Sequence, residues 1–254
     1  MTGNTSAPPK TGYPQFSVLK SFSLSIIPGI LITVVFVLLT PLIRYLGYPP
    51  LLAFLLAFLL FGLPFELGVM LYLGKKKNKK ISLEGIVLYR EAIPLWQYFV
   101  IIPVVFIITF GVISLLLPVD DVIAERLFAW LPDWMVMDDP DQYVDYNQSA
   151  LVVIFALAVI VRGFAIPIVE ELYFRGFLLP RLSRFSFWAP LIGGLFFAFY
   201  HVWQPMAFVT VFVTGIILGA LVQWKKSVYL GIILHVLANT ISAVMALMLV
   251  LSGS

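Results

Sequence analysis

The chain has 254 residues, of which 61% are hydrophobic and only 11% are charged, whereas soluble globular domains carry about 25% charged residues. This composition excludes a soluble domain, and most apolar stretches run about 20 residues, the length that crosses a hydrocarbon core of about 30 Å. The absence of cysteine excludes disulfides and thiolate nucleophiles. The net charge of +3 comes from bases in short connections, which argues against binding to nucleic acid.

Seven apolar spans follow one another along the chain. They cover residues 22–46, 50–73, 96–117, 150–179, 187–203, 206–224 and 228–251. In lipid each span must satisfy its own backbone amides, and none has the alternating pattern of a barrel strand, so each is predicted to be a helix. We therefore expect an all-α polytopic membrane bundle of seven transmembrane helices, or of eight if the long fourth span is broken near Pro167.

Basic residues in short connections predict which way the bundle faces. Those that fall on one side are Lys10, Lys20, the run 75–80, Arg181, Arg184, Lys225 and Lys226. The opposite connection, 119–149, holds eight acids: Asp120, Asp121, Glu125, Asp133, Asp138, Asp139, Asp141 and Asp145. The polar tail 1–21, which has no signal-peptide core, is therefore predicted to be cytosolic. Residues 22–254 are predicted to form one transmembrane domain in the cell membrane of a prokaryote, with the lipid bilayer as its surroundings.

Two other stretches predict local features. The connection 81–94 mixes apolar residues with Glu84, Arg90 and Glu91, and it is predicted either as an amphipathic helix along the cytosolic interface or as a solvated connector. Gly215 and Gly219 form a GxxxG pattern on the sixth span, which predicts close packing of helices within the chain.

Ionisable side chains inside the later spans are the candidate functional residues, because charge in a membrane is costly. The chain holds two histidines, and both His201 and His235 fall in apolar spans. Glu171 and Arg175 are four residues apart, so on a helix they can form an ion pair. Glu170 points about 100° away from Glu171, which leaves it as the carboxylate without a local partner.

The remaining polar group of this region is Asn239, four residues after His235 and on the same helical face. At a rise of about 1.5 Å per residue, Glu170, His201 and His235 lie roughly 12–16 Å from the cytosolic ends of their predicted spans. One carboxylate, two imidazoles and one amide can therefore meet at a similar depth in the cytosolic half of the membrane.

Three short motifs carry a resemblance to a known family. The sequences EELYFR, FAFYH and HVLAN, at 170–175, 197–201 and 235–239, match in order the pattern EExxxR, FxxxH and HxxxN. Over residues 150–242 the chain resembles the CPBP family of intramembrane proteases, which includes the type II CAAX prenyl endopeptidases. The resemblance implies a glutamate-dependent endopeptidase that acts on a membrane-associated peptide or protein, such as a prenylated CAAX-like substrate.

The resemblance also implies a role for each motif residue. Glu170 and His201 activate water, His235 and Asn239 stabilise the oxyanion of the tetrahedral intermediate, and Glu171 and Arg175 support the site. Peptide hydrolysis needs such a base and such donors. Other intramembrane protease chemistries fit badly, because the spans contain no HExxH motif, no aspartate pair and no GxSx-type serine motif.

Several alternatives stay open at this point. The polar cluster could instead belong to a non-catalytic immunity or scaffold member of the family, in which it joins helices or binds a ligand. A carboxylate and two imidazoles are also a plausible zinc set, although the amide of Asn239 suits an oxyanion donor better; neither a metal nor another cofactor is predicted. Glu66 is interpreted as a buried anchor or cavity-lining group and Arg162 as a residue that reaches the outer interface, both outside the site.

Overall fold

The computed structural model describes residues 14–136 and 140–252, and it shows the all-α polytopic bundle that the sequence predicts. The α-helices in this part of the chain are α1 (Val18–Tyr45), α2 (Pro50–Ala57), α3 (Leu63–Asn78), α4 (Leu95–Leu127), α5 (Gln148–Ile160), α6 (Ile166–Glu170), α7 (Ala189–Tyr200), α8 (Phe208–Lys225) and α9 (Val228–Ser252). The part of the predicted tail before Pro14, together with Asp138 and Asp139, lies outside the described residues.

Helix ends in this bundle follow from local capping. Ser17 accepts a hydrogen bond from the Lys20 amide and so starts α1, and Asn147 accepts one from the Ala150 amide and so starts α5. The helix α4 extends further than predicted, because its C-terminal end is at Leu127, ten residues beyond the predicted span 96–117. Three acids assigned to the outer connection, Asp120, Asp121 and Glu125, therefore lie on the last turns of α4.

Six helical segments of the described chain are long and apolar enough to cross a membrane, rather than the seven predicted spans. The difference arises because predicted spans 150–179 and 187–203 form one continuous segment, Gln148–Tyr200. This segment is kinked at Ser186, where φ is 51° and ψ is −124°, and α7 begins just after that kink. Helical geometry is therefore interrupted at Ser186, and the two predicted spans lie on either side of this kink.

The fourth predicted span is not broken near Pro167, and no eighth helix arises there. Pro167 lies in α6 directly after a π-helical stretch. Its missing backbone N–H leaves no orphan at Gly163, four residues earlier, because that carbonyl accepts from the Thr240 hydroxyl. Two stretches of π-helix, Val161–Ala165 and Glu171–Leu178, flank α6 instead. Such widened turns are rare and occur frequently at functional sites, and here they flank Glu170, the last residue of α6.

The connection 81–94 is neither an amphipathic helix nor a solvated connector. It is an irregular segment with Ile86, Val87 and Tyr89 buried. Its backbone is bound on two sides, because the Leu88 amide donates to the Gly176 carbonyl at 2.8 Å and the Val228 amide donates to the Tyr89 carbonyl at 2.7 Å. The segment thus connects the π-helix Glu171–Leu178 to the beginning of α9.

The GxxxG pattern of α8 packs within the chain, as the sequence predicts. A Cβ atom at Gly215 would lie 3.0 Å from the Cα of Gly194 on α7, and one at Gly219 would lie 3.5 Å from the Cα of Pro190. Because these glycines have no side chain, the backbones of α7 and α8 approach closely along their length. This packing sets the position of α7, whose C-terminal end carries Tyr200 and His201.

A single glycine also lets α1 pack directly against the end of α7. A Cβ atom at Gly29 would lie 2.0 Å from the carbonyl oxygen of Tyr200, so Gly29→Ala must displace one of the two helices. We expect this variant to lose about 1–3 kcal/mol of stability, measured as thermal unfolding in detergent. Gly68→Ala is the matched control, because a Cβ atom at Gly68 meets nothing within 4 Å. Equal melting temperatures for the two variants would contradict the close packing.

Candidate active site

The adjacent glutamates stand at the junction between α6 and the π-helix Glu171–Leu178. Glu170 is 2% exposed, Glu171 is 0% exposed and Arg175 is 3% exposed, so all three ionisable groups are buried. An oxygen of Glu171 lies 2.9 Å from Nη1 of Arg175. The ion pair predicted from the four-residue spacing is therefore present, although the turn that holds it is π-helical rather than α-helical.

The same oxygen of Glu171 also binds His235 on α9. Nδ1 of His235 lies 3.0 Å from Oε1 of Glu171, and because a carboxylate only accepts, the proton of this bond belongs to Nδ1. Nε2 of His235 consequently faces Glu170, whose Oε2 lies 3.8 Å away. Gly231, one turn before His235, makes room for this contact, since a Cβ atom there would lie 2.5 Å from Glu171 Oε2.

His201 ends α7 instead of lying within the predicted span 187–203. It is the C-terminal capping residue of α7, with φ −77° and ψ 46°, and it is 9% exposed. Its Nδ1 lies 2.7 Å from the carbonyl oxygen of Phe197, so Nδ1–H is the donor and Nε2 is left to accept a proton or bind a ligand.

Phe197 lies between the three groups that the motifs contribute. Its ring centroid is 4.1 Å from the Arg175 guanidinium carbon, 4.5 Å from the centroid of His201 and 6.2 Å from that of His235. A guanidinium over an aromatic face is attracted by the ring quadrupole. The sequence alone gave Phe197 no role. Its place as the first residue of the FxxxH motif could have indicated that it belongs to the site.

Asn239 joins α9 to the first π-helical stretch. Its amide nitrogen donates to the Arg162 carbonyl at 3.2 Å, and the neighbouring Thr240 hydroxyl donates to the Gly163 carbonyl at 3.1 Å. An asparagine amide has two N–H groups, so one donor remains for a second partner. These two bonds hold α9 in register against the helix that carries Glu170.

Two residues that sequence reasoning left out also reach this cluster. Tyr200 is fully buried, and its hydroxyl lies next to the carboxylates of both Glu170 and Glu66. Glu66, interpreted from sequence as an anchor or cavity-lining group outside the site, therefore lies beside it. Two signals could have indicated this: Glu66 is the one acid in α1–α3, and Tyr200 immediately precedes a motif histidine.

The described residues, 14–136 and 140–252, do not provide a set of zinc ligands. No three side chains of histidine, aspartate or glutamate among them are arranged to hold a metal ion. Both imidazoles of that set already use Nδ1, which in His235 binds Glu171 and in His201 binds the Phe197 carbonyl.

Comparison with known protein families finds a match over residues 152–241. The family is described as "type II CAAX prenyl endopeptidase Rce1-like". The matched stretch contains all three motifs and the elements from α5 to α9 that carry them. No match was found among curated proteins or among solved structures. The family match agrees with the resemblance that the motifs carry: residues 152–241 of this multi-pass membrane chain are similar to the CAAX protease, CPBP-like family.

Proposed function

We propose that the protein is an intramembrane glutamate-type endopeptidase that cleaves a membrane-associated, CAAX-like substrate. The observation that carries this proposal is the different surroundings of the two adjacent glutamates. Glu171 is bound by Arg175 and His235 through one oxygen. Glu170 forms no ion pair with a lysine or arginine of the described chain, and the charged group nearest to it by measured distance is the His235 ring, whose Nε2 lies 3.8 Å from Glu170 Oε2. Glu170 is thus the carboxylate available to bind and deprotonate water.

The proposed reaction uses each motif residue in a distinct step. Water held between Glu170 and Nε2 of His201 gives its proton to Glu170 as its oxygen attacks the carbonyl carbon of the substrate. The free N–H of Asn239 and Nε2 of His235 face the oxyanion that develops. The proton on Glu170 then passes to the leaving amine nitrogen as the peptide bond breaks, which restores the carboxylate.

The role proposed for His235 needs a proton on both ring nitrogens. Nδ1–H donates to Glu171, so Nε2 can donate to an oxyanion only when the ring is the imidazolium. Glu171 at 3.0 Å and Glu170 at 3.8 Å are placed to stabilise that cation. Once Glu170 has taken the proton from water, Glu171 remains as the partner of the imidazolium while negative charge grows on the substrate oxygen.

The proposed substrate follows from the depth of the site. His235 lies seven residues after the start of α9, and His201 follows the twelve residues of α7, which corresponds to roughly 10 and 18 Å from the end of the bundle that carries the basic connections. We assign that end to the cytosol because of its lysines and arginines. A peptide held at the membrane by a lipid chain would reach this depth from the cytosolic side.

The direct test is cleavage by the purified protein in detergent. A prenylated CAAX peptide, the same peptide without the lipid, and a membrane proteome are incubated with the protein, and new termini are mapped by mass spectrometry. We expect cleavage by the natural chain and none by His201→Ala or His235→Ala. Cleavage that persists unchanged in both variants would refute the mechanism, and cleavage of proteome substrates alone would redirect the substrate assignment.

Asn239→Ala separates oxyanion stabilisation from substrate binding. Loss of one oxyanion donor is expected to lower kcat by about 10²–10³-fold with little change in KM. Thr240→Val is the matched control, because Thr240 makes the equivalent bond to the same π-helical stretch but has no proposed contact with substrate. Both variants are compared for melting temperature and for kinetics. A rise in KM without a fall in kcat would remove Asn239 from the oxyanion site.

A further inference from the structure

Glu66 on α3 is a buried carboxyl group that has no charged partner among the described residues. Its side chain is 0% exposed, and neither carboxylate oxygen has a hydrogen-bond partner of good geometry. No lysine or arginine of the described residues pairs with it. An unpaired carboxylate in such surroundings is strongly destabilising, and it is usually retained for a reason other than stability.

Glu66 and Glu170 lie near the same buried hydroxyl, that of Tyr200. The helix α3 packs against α6 and against the π-helix that follows it. The buried Tyr200 hydroxyl lies near both carboxylates and, like the Glu66 oxygens, has no hydrogen-bond partner of good geometry among the described residues. Tyr173 is the other buried tyrosine near Glu66, but its hydroxyl donates to the Leu24 carbonyl at 2.9 Å. Tyr200 is therefore the hydroxyl that can connect Glu66 to the proposed base.

We propose that Glu66 is a positioning residue for Glu170, and that it acts through the hydroxyl of Tyr200. Glu66 keeps its proton and donates it as a hydrogen bond to the oxygen of Tyr200, and the O–H of Tyr200 donates to one oxygen of Glu170. This inference rests on the proposed function, since it assumes that Glu170 is the base. No bond forms or breaks in Glu66 or Tyr200 during turnover.

The two hydrogen bonds of this arrangement have a fixed order of donors, because Glu66, Tyr200 and Glu170 share only two protons. A carboxylic acid has one O–H, a tyrosine has one O–H, and a carboxylate has none. With Glu170 ionised as the proposed base, the chain of donors therefore runs from Glu66 through Tyr200 to Glu170. If Glu66 were ionised instead, two carboxylates would compete for the single hydroxyl proton. With Glu66 protonated, one oxygen of Glu170 is held and the other is directed toward water and the histidines.

Infrared difference spectroscopy tests this arrangement without any substrate. We expect the carbonyl band of a protonated carboxylic acid in the natural chain, lost in Glu66→Gln and shifted in Tyr200→Phe. Tyr173→Phe is the matched control and should leave the band in place, because its hydroxyl bonds to a backbone carbonyl. If Glu66→Gln removes no such band, or Tyr200→Phe does not move it, the proposal is wrong, whether or not the protein is a protease.

Kinetics then distinguish positioning from a purely structural role. We expect Glu66→Leu and Tyr200→Phe each to lower kcat about tenfold with KM unchanged, and the double variant to lose no more than either alone. Glu66→Gln should restore most of the activity, because its amide still donates to Tyr200. Equal kcat per folded molecule in Glu66→Leu and the natural chain, with only a lower melting temperature, would overturn the proposal. Additive losses in the double variant would also overturn it.

Discussion

Glu170→Gln is expected to abolish turnover and to leave the bundle folded. The amide has the shape of the carboxylate but cannot take a proton from water, so the loss in kcat should reach about 10²–10⁴-fold, the contribution of a general base. Stability should fall much less than in Glu171→Gln, since Glu170 forms no ion pair with lysine or arginine in the described chain and His235 keeps Glu171 as its nearer partner. The measurements are kcat on a prenylated CAAX peptide and the melting temperature in detergent.

Glu84→Gln is a suitable control for Glu170→Gln, because Glu84 lies on the surface and its ion pair in the described chain is with exposed Lys80 at 3.8 Å. Both variants have the same chemical change, so only the position differs. Should Glu170→Gln retain full biological activity with an intact fold, the polar cluster would serve the non-catalytic role instead, by joining helices or binding a ligand.

Glu171→Gln is expected to act mainly on stability. The substitution leaves the guanidinium of Arg175 buried without a counter-charge and weakens the bond to His235. Breaking one side of a buried pair typically costs about 3–5 kcal/mol, so we expect a large fall in melting temperature. Any loss of kcat should follow from His235, whose ring Glu171 orients, and should be smaller than that of Glu170→Gln.

A double variant provides the matched control for this second prediction. Glu171→Gln combined with Arg175→Met removes both charges, so part of the stability lost in Glu171→Gln should return. No recovery in the double variant would show that the ion pair is not the cause of the loss. A stable but inactive Glu171→Gln beside an active Glu170→Gln would reverse the roles assigned to the two glutamates.

Features that depend on near neighbours in the chain could be read from the sequence. Long apolar runs must be helical in lipid, which predicts the all-α bundle. A spacing of four residues places Glu171 beside Arg175, and the GxxxG pattern of α8 predicts its close packing against another helix. The order of the three motifs indicated the family, and the match over residues 152–241 agrees with it.

The tertiary structure alone decided how the helices meet. Nearly every face of these helices is apolar, so periodicity does not show which face packs inward and which faces lipid. Three contacts join separate elements: the bond between His235 and Glu171, the position of Phe197 among the charged groups, and the proximity of Tyr200 to both Glu66 and Glu170.

The π-helical turns beside Glu170 and the irregular course of 81–94 were also outside the reach of sequence reasoning. Both depend on contacts between residues far apart in the chain. Asn239 and Thr240 donate hydrogen bonds to the first π-helical stretch, and the Leu88 amide donates one to Gly176 in the second. Local composition determined which residues could be chemically active in this protein, because charge is rare in lipid-embedded helices. Packing between helices determined which carboxylate is bound and which remains available, because that difference depends on partners far away in the chain.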